Sequence, residues 1–148
     1  MRARDLMTPN PTVVTAEDSI PKAAQLMRNL GVGMLPVVDD LTSRRLIGVL
    51  TDRDIVVRCI ADHGRSHCRV RDHMSGTPLV SVNEDASVED IGRQMEQFRV
   101  RRMPVVAPDL RVIGVITQTD LVRRVGHDDP ALVQEIIERV ATPGALTH

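Results

Sequence analysis

The chain has 148 residues, 42% of them hydrophobic and 26% charged, with a formal net charge of -1. That length suits one domain or a tight pair of small ones, and the charge balance excludes an overall field that would hold nucleic acid or an anionic membrane. Phe98 is the single aromatic residue, which argues against base stacking on single strands and leaves a core of Val, Ile, Leu and Met. No apolar run approaches membrane-spanning length, and the first residues lead into fold-like sequence without a signal segment, so a cytoplasmic protein is expected. Cys59 and Cys68 are too few for a disulfide framework and are expected as thiols.

In chain order, Asp5-Leu6-Met7-Thr8-Pro9 precedes a short extended segment, Thr12-Val13-Val14-Thr15. Ser19 opens a helical pattern with Ile20, Ala23, Ala24, Met27 and Leu30 on one face, and Pro21 fits its first turn. Gly31 and Gly33 stop it. Leu35-Pro36-Val37-Val38 reads as a strand beginning at a proline. A polar turn leads to the strand Leu46-Ile47-Gly48-Val49-Leu50, and a helix is predicted from Thr51 to about Ala61.

The pattern then repeats. Asp72-His73-Met74 echoes Asp5-Leu6-Met7, and Leu79-Val80-Ser81-Val82 echoes the first strand. A helix from Ser87 turns Val88, Ile91, Gly92, Met95 and Phe98 inward. Met103-Pro104-Val105-Val106 and Val112 to Ile116 repeat the two later strands. The first hairpin is longer by two residues. From Gly126 the repeat is finished, and Asp128-Asp129-Pro130 caps a further amphipathic helix ending near Thr142-Pro143-Gly144. Its apolar stripe must cover either the module itself or a second chain. The boundaries read as 1-66, 67-125 and 126-148. The fold class is α+β, with two β-α-β-β-α units and a C-terminal helix.

The chemistry concentrates in Gly48-Val49-Leu50-Thr51-Asp52-Arg53-Asp54 and its echo, Gly114-Val115-Ile116-Thr117-Gln118-Thr119-Asp120. Each is a buried strand handing over to a helix whose Thr-x-x-Asp makes a capping box. The same start aims N–H groups, a hydroxyl and a carboxylate at one point, which suits phosphate and vicinal hydroxyls. One such set would read as a cap alone; two in matching surroundings favour a binding role.

These motifs, with Asp-x-Met-Thr-Pro at 5–9 and the Pro-Val-Val strands at 36–38 and 104–106, resemble a pair of CBS (cystathionine-β-synthase-type) domains, a Bateman module. The resemblance covers roughly Arg4 to Val125, and the whole chain is similar to small stand-alone bacterial CBS proteins. It implies two units related by a pseudo-twofold axis, with clefts that bind adenosine-containing ligands. Asp54 and Asp120 would hold ribose hydroxyls, with Thr51 and Thr117 near ribose or phosphate. Val13-Val14 and Leu79-Val80, with Leu35 and Met103, would flank adenine. Arg53, Arg101 and Arg102 would meet phosphate, for which the planar guanidinium fork is well suited. Gly33-Met34 stands where the second unit has Arg101-Arg102, so the clefts differ in charge. The plainer alternative puts both arginines on a solvated strand edge.

Cys59, His63, His67, Cys68 and His73 offer zinc-ligand types, but their spacing matches no common structural finger, and no metal site is assigned. Sequence motifs of hydrolases, phosphate-loop enzymes and metalloproteases are absent, so no catalytic residue is expected. The expected protein is a non-enzymatic sensor of an adenine nucleotide such as AMP, ADP or ATP, with no cofactor, nucleic acid or membrane. It is expected to form a homodimer through the apolar helix faces after Thr51 and Thr117, with an unidentified protein partner also compatible. The competing class is a structural or interaction protein whose clefts are unused.

Overall fold

The computed structural model describes residues 1–62 and 68–141. The predicted residues His63, His67 and Thr142-Pro143-Gly144 lie outside them. Contacts divide the chain into two compact units. The N-terminal unit comprises Asn10–Val80 with Pro108–Val112, and the C-terminal unit comprises Ser81–Ala107 and the chain from Ile113, joined by Met1–Pro9.

In the N-terminal unit the strands are β2 (Val14–Thr15), β3 (Met34–Val38) and β4 (Leu46–Thr51), in that order across the sheet. The β2–β3 pairing is parallel and β3–β4 antiparallel. Strand β3 lies between its neighbours and is buried at all five positions, as a central strand requires; β4 alternates buried and half-buried. Helix α2 (Ile20–Leu30) begins where Ser19 Oγ accepts the Lys22 N–H at 3.2 Å. It ends at Gly31, whose φ of 66° costs a glycine little, with the Val32 N–H returning to the Met27 carbonyl at 3.1 Å. Ile20, Ala23 and Met27 are buried as expected, whereas Leu30 is 49% exposed and Leu26 packs against the core in its stead. The predicted helix after Thr51 is one turn of α-helix, α3 (Asp52–Asp54), followed by a π-helical segment, Ile55–Ile60. The Ala61 N–H reaches the Val56 carbonyl at 2.9 Å, five residues back. This pitch buries Ile55 and Cys59, four apart, and leaves Val56, Val57 and Ile60 exposed.

The C-terminal unit has β5 (Val82–Asn83), β6 (Arg102–Val106) and β7 (Val112–Thr117), with helices α5 (Val88–Phe98) and α6 (Gln118–Arg124). Ser87 and Asp90 close a capping box at the start of α5. The last helix, α7 (Pro130–Ala141), begins with Asp129 Oδ1 accepting the Leu132 N–H at 3.2 Å. Its stripe of Val133, Ile136 and Val140 is buried, and it covers its own unit. Gly92 of α5 lets Ile136 approach so closely that a Cβ there would lie 2.6 Å from the isoleucine.

Each repeat lends its opening to the other's sheet. Helix α1 (Ala3–Leu6) and strand β1 (Thr8–Pro9) join the C-terminal unit, where Thr8 pairs with Val115 and Pro9 with Gly114. In the N-terminal unit helix α4 (Val70–His73) and Ser75 take the same role, with Ser75 bridging Val49. The hydrogen bonds correspond one for one. The N–H groups of Ala3 and Arg4 donate to the carbonyls of Ala86 and Glu84, and those of Val70 and Arg71 to Asp18 and Ala16. Arg2 Nη1 meets the Asp85 carbonyl at 2.9 Å, and Arg69 Nη1 the Glu17 carbonyl at 2.7 Å. Among the described residues no helix is long and apolar enough to cross a membrane.

Candidate ligand-binding site

Both Thr-x-x-Asp sets form the expected capping boxes. Thr51 Oγ1 accepts the Asp54 N–H at 3.0 Å, and Asp54 Oδ2 accepts the Thr51 N–H at 2.9 Å. Thr117 Oγ1 accepts the Asp120 N–H at 3.1 Å, while Asp120 Oδ2 accepts the Thr117 N–H at 2.8 Å and its hydroxyl at 3.0 Å. One carboxylate oxygen of each aspartate is therefore committed to the backbone. The other, Oδ1, lies 3.7 Å from Arg58 Nε in Asp54, a long ion pair to an exposed guanidinium. In Asp120 it has no hydrogen-bond partner among the described residues. Asp54 is 9% exposed, the sole charged residue among the buried ones described. A carboxylate that deep is normally held by several donors, whereas Asp54 has one backbone hydrogen bond on Oδ2 and only the long Arg58 pair on Oδ1.

In the N-terminal unit Val13, Val14 and Leu35 are buried, Thr51 is half-buried and Arg53 is exposed. The Asp52 N–H donates to the Gly33 carbonyl at 2.9 Å and pins the capped turn to the start of β3. In the C-terminal unit the Gln118 N–H makes the same bond, also 2.9 Å, to the carbonyl of Arg101. Gly33 and Arg101 therefore occupy equivalent positions, as do Met34 and Arg102, the first residues of β3 and β6. Arg101 is exposed and Arg102 and Thr117 are half-buried, whereas Met103 is fully buried. Leu79 and Val80 are half-buried and precede β5. Val14 pairs with Val37 and Val82 with Val105, so the counterparts of Val13-Val14 are Ser81-Val82.

One residue was not singled out in the sequence. Gln118, at the first position of α6, has a buried side-chain nitrogen, Nε2, with no hydrogen-bond partner. It is a donor beside the Thr117–Asp120 cap, and the sole hint in the sequence is that it replaces Asp52. Cys59, Cys68 and His73, set aside for want of a finger-like spacing, are brought together in the N-terminal unit. Burial raises the Cys59 thiol above its ordinary pKa, and the neighbouring Cys68 adds to the shift.

The family model for the CBS domain matches residues 3–60 and again 70–127. The chain belongs to the CBS-domain family. The order β-α-β-β-α found in each CBS repeat agrees with this, and the fold class is the expected α+β. Hypoxic response protein 1 of Mycobacterium tuberculosis (strain ATCC 25618 / H37Rv) is 33% identical over 144 residues, which are 97% of this CBS chain and 96% of that protein. A solved structure of Hypoxic Response Protein I with two coordinated zinc ions is similar with a TM-score of 0.76, covering 84% of this chain and 98% of that one. The structure of CBSX2 in complex with AMP is similar at 31% identity with a TM-score of 0.72, covering 86% of this chain and 98% of that one.

Proposed function

We propose that this CBS pair is a non-enzymatic regulatory sensor that binds an adenosine-containing ligand, with Asp54 and Asp120 as the ribose-recognising carboxylates. The observation that supports the reading most is the doubled Thr-x-x-Asp cap, in which one oxygen of each aspartate holds the helix start while the other makes no hydrogen bond to the described residues, Asp54 Oδ1 having only its long ion pair with exposed Arg58. A ribose presents two adjacent hydroxyls, and hydrogen bonds from them to an ionised acceptor are strong. Half-buried Leu79 and Val80 offer apolar surface for adenine, whereas Val13, Val14, Leu35 and Met103 are packed into the core and contribute apolar surroundings without an open face. Thr51, Thr117, Arg53, Arg101 and Arg102 serve the ribose and phosphates, and Gln118 Nε2 adds a donor in one repeat. The AMP complex of the similar CBSX2 supports the same ligand class.

Val56, Val57 and Ile60 after α3 and Val122 of α6 are exposed apolar residues, between 47% and 63% accessible. They fit a homodimer formed through these helix faces, and light scattering of a monomer at micromolar concentration would refute it. Calorimetry of the stripped chain against AMP, ADP, ATP and S-adenosyl compounds tests the ligand reading. Binding is expected at micromolar to millimolar affinity, on the order of −4 to −8 kcal/mol; a flat titration across the panel by folded, empty protein defeats it.

A further inference from the structure

Within the N-terminal unit one ligand atom from each of Cys59, Cys68 and His73 lies within 4.8 Å of the others. Cys59 sits in the π-helical segment, a distortion that is uncommon and often found at functional positions. Cys68 is fixed by its carbonyl, which accepts the Ile20 N–H at 2.9 Å. His73 is the last residue of α4. Nε2 of His73 is buried and has no hydrogen-bond partner, a costly state for an imidazole nitrogen. Both cysteines are free, Cys59 buried and Cys68 half-buried. Cys59 belongs to a buried apolar cluster with Ile20, Met27 and Val70, against which Cys68 and Met74 pack.

The other repeat provides an internal control. By the correspondence of Arg2 with Arg69 and Thr51 with Thr117, the counterparts of Cys59, Cys68 and His73 are Val125, Met1 and Leu6. All three are apolar, and Leu6 and Val125 are 1% and 6% exposed. A position that packs well with leucine has no packing need for a histidine. Three metal-ligand side chains replacing three apolar ones, in one repeat and at one spot, call for a chemical reason.

We propose that Cys59, Cys68 and His73 form a binding site for a thiophilic divalent cation, zinc above all, with the fourth coordination position left to water or an exogenous ligand. Two sulfurs and an imidazole select zinc over magnesium or calcium, which take oxygen. Tetrahedral zinc–sulfur and zinc–nitrogen bonds put ligand atoms about 3.4–3.8 Å apart, so from separations within 4.8 Å the cluster closes by about 1.4 Å at most. Each thiol gives its proton to solvent as its sulfur bonds the metal, so two protons leave per ion bound. The ion would fasten the π-helical segment to α4. This inference is independent of the adenosyl ligand.

The test uses the untagged full chain, reduced, stripped by chelator and desalted. Zinc titrated in competition with a chromophoric chelator should bind at one ion per chain, and cobalt should give the visible bands of a tetrahedral site with a thiolate charge-transfer band in the near ultraviolet. Cys68→Ser and His73→Gln, checked for folding by circular dichroism, should each weaken zinc binding at least tenfold and lose the parent's cobalt spectrum. The cobalt spectrum of the parent decides the matter even if a variant fails to fold. Failure of the reduced parent to bind zinc, a cobalt spectrum without the thiolate band, or unchanged affinity in folded variants overturns the proposal. So does unchanged zinc affinity in air-oxidised protein whose mass shows Cys59 and Cys68 joined as a disulfide.

Discussion

The two repeats solve the same local problems by different means. Helices α2 and α5 both end in a left-handed residue: Gly31 at φ 66° and Arg99 at φ 55°. Glycine adopts that backbone without a Cβ penalty. Arginine does not, but Arg99 Nη1 bonds the carbonyls of Arg139 and Val140 at 2.8 and 3.2 Å, near the end of α7. The repeat that owns an extra helix can hold a strained cap by tertiary hydrogen bonds; the repeat without one uses conformational freedom. The glycines before the two capped turns differ likewise. Gly48 faces a backbone atom, the Ser75 carbonyl oxygen, whereas Gly114 faces the side chain of Met7.

The largest expected effect separates the two sites by ligand binding. Asp54→Asn and Asp120→Asn keep an oxygen for the cap but lose the charge offered to ribose. Each should weaken binding at its own site by about 1.5–3 kcal/mol while the empty protein melts near the parent temperature. Calorimetry together with ligand-induced thermal shifts checks this. If both variants gain as much from ligand as the parent, the aspartates are only caps.

Next comes packing at the two glycines. A Cβ on Gly48 would lie 2.7 Å from the Ser75 oxygen, and Ser75 is pinned by 2.9 Å hydrogen bonds in both directions with Val49. Gly48→Ala should therefore cost about 1–3 kcal/mol in urea denaturation. Gly114→Ala should cost less, because a methionine can rotate away. The reverse order would mean that the Ser75 segment yields more easily than Met7.

A smaller difference is expected at the helix ends. Gly31→Ala meets no atom within 4 Å, so only the left-handed backbone penalises it, by about 1 kcal/mol. Arg99→Gly relieves that strain but loses the bonds to α7, so its net effect should be smaller than that of Gly31→Ala. Equilibrium unfolding of the two variants side by side decides the point.

The smallest effect lies in acid. Burial works against the charge of Asp18, yet the Thr15 N–H and Lys22 outweigh it and lower its pKa. Asp90 is lowered by the Ser87 N–H, then by the Ser87 hydroxyl and Arg93. A carboxylate depressed by folding contributes stability above the ordinary carboxylate pKa of about 4 and loses it as pH falls through the lower, folded value. Urea midpoints should hold down to about pH 4 and decline below it, less steeply in Asp18→Asn. An unchanged acid limb in that variant would show that the Asp18 contacts are offset by burial.

Much of this was legible because it is local. Ser19, Thr51, Ser87 and Thr117 announce helix starts by a side chain that reaches three residues on, and alternation in β4 and β7 records which face is buried. What was not legible depends on partners distant in sequence. The π-helical segment has the composition of an ordinary amphipathic helix, and nothing in Ile55–Ile60 names the five-residue bond. Leu79-Val80 resembles Val13-Val14 in apolar character, but strand register is set by pairing, and Val82 opposite Val105 fixes it two residues later. The Cys59–Cys68–His73 cluster escapes a motif search because it is drawn from the π-helical segment, the approach to α4 and the last residue of α4.

The exchanged openings carry a consequence for how the chain is made. Val49 finds Ser75 only 26 positions later, but Pro9 must wait for Gly114, 105 positions on. At about 5–20 residues per second of translation, the arm of residues 1–9 spends on the order of 5–20 s outside the tunnel before its sheet exists. The leading repeat can thus close its sheet edge while the ribosome is still at work. The trailing repeat is finished by a segment translated about a hundred residues before it, so a fragment beginning at Ser81 would leave β7 with an open edge. That edge could be completed by the arm supplied as a separate peptide.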